Sequence, residues 1–340
     1  MSKRREARSA RRFSKVVLRK PFARLPIAHR PSPIAHRLAS SAYFLGIDLG
    51  GSSVKAVTVT PGGKLLARHN KAFDPERRMH FAQTIRELAN RMEVDQGQSP
   101  QGIGLSAPGR ADKSGHLIAF MPGRLHGLVG LVWSEYLETP FPIPVLNDAH
   151  AALLGEVWQG AARGCDNVIM ITLGTGVGGA AMVDGRLLRG YTGKAGHLGH
   201  STLNMDGPPD ICKMPGSLEV MIGNCTIRER SGGQFATTHE LIKAHRRGDG
   251  EATRVWLRSV KALACAIGSF TNVLDPEIAV IGGGIARAGD ALFDPLRRFV
   301  RNVEWATSRK GVRIVPAQLG EFAGAFGAAH HAARSIDRSS

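Results

Sequence analysis

Gly46-Ile47-Asp48-Leu49-Gly50-Gly51-Ser52-Ser53-Val54-Lys55 is the stretch on which the fold turns. An apolar run over residues 43–49 ends in two glycines, and an alternating run over 54–60 follows, which reads as two strands around a tight turn. An acid stands at the tip of the first strand. The glycines after it let backbone N–H groups face an anion with no Cβ in the way, Ser52 and Ser53 add hydroxyl donors, and Lys55 adds positive charge. A hairpin that only needs glycines has no use for Asp48. An acid beside a phosphate turn makes sense when Mg²⁺ sits between the two.

Outward from this hairpin, Pro61-Gly62-Gly63 turns the chain into a third strand over 64–73, giving an antiparallel meander. Helical spacing fits 81–92, a strand 102–107, and another strand, 144–146, runs into a helix over 148–160. The plan then repeats. A strand over 167–173 reaches Gly174-Thr175-Gly176, and a second strand over 178–183 closes at Asp184-Gly185. Helices are expected at 218–223, 239–245 and 252–273. A strand over 277–281 enters Gly282-Gly283-Gly284, and a helix at 291–303, a strand at 312–316 and an Ala-rich helix at 322–334 close the pattern. Two strand–turn–strand units, each followed by mixed helix and strand, predict an α/β protein of duplicated lobes with a central cleft. The expected division is a first lobe over 43–155, completed by the helix at 320–336, and a second lobe over 156–319. Ligands of such folds sit in the cleft.

The second glycine turn repeats the logic of the first without an acid and suits the outer phosphates of a nucleotide. A dinucleotide fold wants a helix after such a turn, and here a strand follows. At Gly282, Gly283 and Gly284, bare backbone between strand and helix suits adenine or ribose. None of the three matches the Walker P-loop. A general base belongs at a strand end inside the cleft, and Leu146-Asn147-Asp148-Ala149-His150 supplies it. Phosphoryl transfer asks for positioning, Mg²⁺ and one proton acceptor. Asp148 is that acceptor, with Asn147 orienting the acceptor molecule. As an N-cap, Asp148 also starts the following helix.

Charge first suggests nucleic acid and then does not. The 340 residues carry a formal +17, but the first 40 hold 12 Lys/Arg and one acid, so that segment accounts for +11 and the rest for +6. Residues 1–42, with a repeated Pro-Ile-Ala-His-Arg and several prolines, are expected to be a disordered basic tail. No helix-turn-helix is readable there, so specific nucleic-acid binding is not expected. Four scattered cysteines argue for a reducing compartment, and no apolar run approaches a membrane span, which predicts a cytoplasmic location.

The Asp48 turn, Asn147-Asp148, the 174–179 turn, 193–200, 216–219 and 282–284, in this order, resemble the ROK family (repressors, uncharacterised reading frames and sugar kinases) over roughly residues 43–335. The resemblance implies an actin/hexokinase-like ATPase fold, ribonuclease H-like in each lobe. It implies a homodimeric, Mg²⁺-dependent carbohydrate kinase, glucokinase- or N-acetylmannosamine-kinase-like, that moves the γ-phosphate of ATP to a sugar hydroxyl. By that likeness Asp148 is the base, and Asn147, His200 and Glu219 contact the sugar.

The chain also departs from the family pattern. His197 stands where a sugar-binding glutamate is usual, as it can in N-acetylmannosamine kinases of the family. A carboxylate accepts from two hydroxyls, whereas neutral imidazole accepts one bond and donates one. The family's cysteine-rich zinc loop is reduced to Asp210-Ile211-Cys212-Lys213-Met214-Pro215-Gly216-Ser217-Leu218-Glu219. His200, Asp210 and Cys212 remain as a degenerate ligand set, and serine is a poor fourth ligand, which argues against zinc. His150 and His126 also replace residues common in relatives. With His197 they are expected to gather around the sugar and to make activity fall as pH drops through the imidazole range. The alternatives are a sugar-responsive regulator or a catalytically weak nucleotide- and sugar-binding protein.

Overall fold

In the computed structural model, residues 42–305 and 311–337 are described. The basic segment expected to be disordered lies, apart from Ala42, outside them. The first three strands, β1 (Phe44–Leu49), β2 (Ser53–Val59) and β3 (Leu65–Ala72), form the antiparallel meander. Their apolar residues point inward: Ile47, Val54, Ala56 and Val57 are completely buried, while β3, at the sheet edge, is mostly exposed. On the other side of β1 lies β4 (Gly102–Ala107), and beyond it β7 (Val145–Asn147), both parallel. Parallel neighbours need crossovers. Helix α1 (His80–Gln96) supplies the first, and the segment holding β5 (Arg110–Ala111), β6 (Ile118–Phe120) and α2 (Trp133–Tyr136) the second. Strands of two and three residues are too short to show alternation, so β5 and β6 have no counterpart in the sequence reading.

After α3 (Asp148–Gln159) the second sheet is built from β8 (Val168–Leu173), β9 (Val177–Val183), β10 (Arg186–Leu187), β11 (Ile278–Gly282) and β12 (Arg313–Pro316). The sheet orders are β3-β2-β1-β4-β7 and β10-β9-β8-β11-β12. They coincide strand for strand, and so do the directions, antiparallel on the hairpin side and parallel on the other. The lobes are duplicated, as the two glycine hairpins predict. The two-residue β10 completes the match where the sequence reading stopped at Gly185.

The helices of the second half are α4 (Leu218–Ile222), α5 (Ile227–Arg230), α6 (Thr238–Arg246), α7 (Gly250–Leu274) and α8 (Asp290–Val303). Trp256, Leu263 and Ile267 of α7 and Leu292 and Leu296 of α8 share one core with Ile169, Ile171 and Ile281 of the sheet. Each such side chain contributes about 1.5–3 kcal/mol by leaving water.

The closing helix, α9 (Ala323–Asp337), returns to the first sheet. It packs backbone against backbone because glycine faces it. A Cβ on Gly46 of β1 would lie 1.9 Å from Ala325 O, and one on Gly104 of β4 would lie 2.0 Å from Ala328 O. Its own Gly327 meets α3, where a Cβ would come 1.7 Å from Ala151 O. The other side of α3 packs on the second sheet, Ala149 and Leu153 joining Val168, Met170, Ala180 and Met182. So α3 is wedged between the lobes with Asp148 at its first turn. Glu156, fully buried on α3, accepts hydrogen bonds from Ala161, Gln318 and Leu319 N–H and fastens the chain leading into α9. Among the described residues no helix is long and apolar enough to cross a membrane.

Candidate active site

Strand register builds the first carboxylate site. Asp48 pairs with Lys55 across β2 and with Ser106 across β4. Ser106 Oγ donates to Asp48 Oδ1 at 2.7 Å. The backbone of α9 lies against the carboxyl, for a Cβ on Gly324 would be 2.6 Å from Asp48 Cγ. Burial pushes the Asp48 carboxyl up to about 6. Repulsion from Asp148 adds to this, against the Ser106 hydrogen bond and the Lys55 charge.

Asp148 is open to solvent on one side, while the protein around its carboxyl withholds bulk water. That desolvation raises its pKa despite hydrogen bonds from Ala149 N–H, at 2.9 Å, and from the Asn147 side chain. The cap position differs from the expectation. Asn147 is the N-cap: its Oδ1 accepts from Ala149 N–H at 3.0 Å and His150 N–H at 3.4 Å, and its Nδ2 donates to Gly109 O at 2.8 Å. The β7 backbone ends one residue earlier than an Asp148 cap requires, so Asp148 is the first helical residue and its carboxylate stays open.

In the first turn, Gly50 N–H donates to Ser53 O at 2.9 Å, and Lys55 Nζ stands 3.5 Å from Ser53 Oγ. Gly51 and Ser52 are exposed. The Arg124 guanidinium reaches this turn, 3.6 Å from where a Gly51 Cβ would be. Sequence reasoning missed it, since it arrives from a loop with no local motif. In the second turn, Gly174 N–H donates to Gly176 O, and Thr175 is exposed. Glu219, on α4, lies against it. Its Oε2 accepts from Val177 N–H at 2.9 Å, and a Cβ on Gly176 would come within 2.2 Å of that oxygen. The third turn abuts the second: Gly282 pairs with Thr172, and Gly283, at φ +87°, leaves a Cβ only 2.3 Å from Leu173 O. Gly284 faces open space.

Two of the three histidines meet. His150 and His197 have ring centroids 5.8 Å apart, and His150 Nε2 bonds to Ala195 O at 2.9 Å. His197 Nε2 is buried with no hydrogen-bond partner among the described residues. His126 is exposed and shares none of these contacts; Leu125, beside it, turns inward at φ +54°. Burial pulls His150 down to about 4 and lowers His197 as well. His150 therefore stays neutral across pH 5.5–8, and the expected imidazole step does not come from this ring.

His200, Asp210, Cys212 and Ser217, the positions matched to the family's zinc loop, come together. Their ligand-type atoms, serine aside, lie within 4.8 Å of one another. His200 Nδ1 donates to Asp210 Oδ2 at 2.8 Å, leaving Nε2 3.6 Å from Cys212 Sγ. That 2.8 Å contact is a hydrogen bond, closer than the about 3.3 Å between two ligands of one tetrahedral zinc. Ser217 is fully buried, caps α4 and donates to Asp210. Burial works against the Asp210 charge, but bonds from His200, Ser217, Met214 N–H and Cys212 N–H outweigh it and hold the carboxyl below its usual range. Burial and the nearby Asp210 and Glu219 charges push the Cys212 thiol up. Three ligand-type side chains and a buried serine fall one short of the four donors of a structural zinc site. They form a hydrogen-bonded clasp.

Known proteins are similar to this chain over most of its length. A sequence model of the ROK family matches residues 44–335. A glucokinase from Thermotoga maritima is 34% identical over 84% of this chain and 95% of its own length. The crystal structure of a ROK hexokinase from Thermus thermophilus superposes with a TM-score of 0.75 at 31% identity, over 87% of this chain and 99% of that one. A ROK glucokinase from Streptomyces griseus, solved with glucose and AMPPNP, gives 0.70 at 26% identity, over 86% and 100%. The match spans both lobes, the interlobe helix and every glycine turn described above, and from it follows that the chain belongs to the ROK family and has its actin-like ATPase fold.

Proposed function

We propose that the chain transfers the terminal phosphoryl group of ATP to a hydroxyl of a hexose or N-acetylhexosamine, with Asp148 as general base. It is a carbohydrate kinase. The observation that carries the catalytic assignment is the pair of raised carboxyls, Asp48 and Asp148, close enough to repel each other at the junction of the two lobes.

The N–H groups and hydroxyls of Gly50, Gly51, Ser52 and Ser53, with Lys55, receive phosphate on one side of the cleft, and Gly174, Thr175 and Gly176 receive it on the other. Arg124 adds charge to the first turn. Gly282, Gly283 and Gly284 offer bare backbone to the nucleoside. A hard divalent cation suits the Asp48 carboxylate, and Mg²⁺ bound there would neutralise phosphate charge. Asp148 takes the proton of the attacking hydroxyl as the oxygen closes on phosphorus. Its raised pKa makes it a stronger base than an ordinary carboxylate. Asn147 fixes the helix end and so the base. The unpartnered Nε2 of His197 supports a hydrogen bond to the sugar, with His150 holding the ring from behind. Glu219 and His200 complete that wall from α4 and the clasp.

A coupled ADP-release screen over hexoses and N-acetylhexosamines, with purified full-length chain and Mg-ATP, tests this. Turnover on at least one sugar, lost in Asp148→Asn, is the expected result. No sugar-dependent ADP release with any acceptor would refute it.

A further inference from the structure

Helices α4, α5 and α7 border a cavity of about 280 Å³ lined by Asn204, Glu229, Arg230, Arg254, Arg258 and Ser259, among others. Arg230 donates from Nε to Thr226 Oγ1 at 3.2 Å, from Nη1 to Ser259 Oγ at 2.5 Å and from Nη2 to Gly223 O at 2.7 Å. All three acceptors are neutral, and no carboxylate lies within ion-pair distance of it among the described residues. Burial pulls its pKa down to about 10. Neutral acceptors satisfy the N–H groups without cancelling the charge, and a largely buried cation without a counter-charge is costly.

Two further guanidiniums face the same space from successive turns of α7. Arg254 pairs with Glu251 on the helix surface, and Arg258 is exposed without an ion pair among the described residues. Glu229 is the single carboxylate lining the cavity. A buried arginine kept only to hold the Gly223 carbonyl would need neither these neighbours nor the open space. We infer that this cavity is a binding site for a phosphate dianion, free or carried on a small sugar. The unpaired guanidinium fork of Arg258 matches phosphate oxygens two at a time, Arg254 adds charge beside its Glu251 partner, and Asn204 adds an amide. The volume suits a small phosphorylated molecule and not a nucleotide polymer. The site stands whether or not the proposed phosphoryl transfer does.

Isothermal titration of the full chain with inorganic phosphate, and separately with a hexose 6-phosphate, tests it against the Arg254→Gln/Arg258→Gln double variant. Both substituted arginines are exposed, so the fold is expected to persist, checked by thermal melting. Wild type should bind at least one of the two ligands at a site that the double variant loses or binds roughly tenfold more weakly. Binding to the glycine turns of the cleft would persist in both proteins and cancels in the comparison. The arm that responds identifies free or sugar-borne phosphate. Identical isotherms for wild type and double variant, with both ligands, would overturn the site.

Discussion

The carboxyl of Asp148 repels that of Asp48, although one residue starts the interlobe helix and the other ends the first strand of the first sheet. Both are raised above their usual range by burial, Asp48 against one hydrogen bond from Ser106 and Asp148 against those from Ala149 N–H and Asn147. A fold selected only for stability would neutralise one of them.

Replacing Asp148 by asparagine keeps shape and removes the proton acceptor. The expected loss in kcat is about 10²–10⁴-fold, the usual worth of a general base, with a melting temperature at pH 7 no lower than that of wild type, because burial also raises this carboxyl. In the wild type, activity should climb with pH until the raised Asp148 carboxyl is ionised. Steady-state ADP release across pH 4.5–8 measures both, and an active asparagine variant would remove Asp148 from the chemistry.

Asp48 predicts a stability effect of opposite direction. Its folded pKa, about 6, exceeds the unfolded carboxylate value, so the folded chain holds the proton more tightly. Stability therefore falls as pH rises from about 4 to about 6, and the cost persists above that. Asp48→Asn lacks this cost and should melt higher than wild type at pH 7 while losing kinase activity. The gap between the two melting temperatures should shrink toward pH 4; a gap independent of pH would contradict the assignment.

For His150 the sign reverses. Its folded pKa of about 4 lies below the ordinary imidazole value, so the unfolded chain takes up the proton first. Stability is lost as pH falls from about 6.5 toward 4. Melting curves of His150→Asn should show a shallower acid slope than wild type, an equal slope counting against the buried neutral ring.

The clasp predicts indifference to metal. Chelator should leave the melting temperature unchanged, and purified protein should carry well under one zinc per chain by elemental analysis. Asp210→Ala removes an acceptor of several bonds and should cost about 2 kcal/mol, seen in denaturant melts, whereas Cys212→Ser should cost little. One tightly held zinc per chain would refute this.

At the α3–α9 crossing, Gly327→Ala places a methyl 1.7 Å from Ala151 O. The helices must part, at a cost of about 1–3 kcal/mol. A variant as stable as wild type would mean that the crossing is looser than described.

Much of this was legible because glycines and acids at strand ends announce themselves in one dimension. Asp48 and Asp148 each follow an apolar run, and duplication of the hairpin forecasts duplication of the sheet. What escaped depends on distant partners. Arg124 reaches Gly51 from a loop, Gly324 meets Asp48 from the last described helix, and β10 is two residues long. The histidine cluster was half visible: His150 and His197 are joined by β9, which carries the 195–197 loop onto α3, whereas the turn at Leu125 sends His126 to the surface. Asp148 read as the cap of its helix in sequence, and the backbone gives that role to Asn147 one residue earlier.

Helix α9 also imposes an order on biosynthesis. The first sheet leaves the ribosome early, yet the glycine-lined face around Gly46 and Gly104 stays bare until α9 emerges, after the entire second lobe. Pairings between segments so far apart are slow and leave sticky surface waiting. A nascent chain stalled before residue 323 thus carries an uncovered half and no floor beneath Asp48, so the surround of that carboxyl is completed only at the end of synthesis.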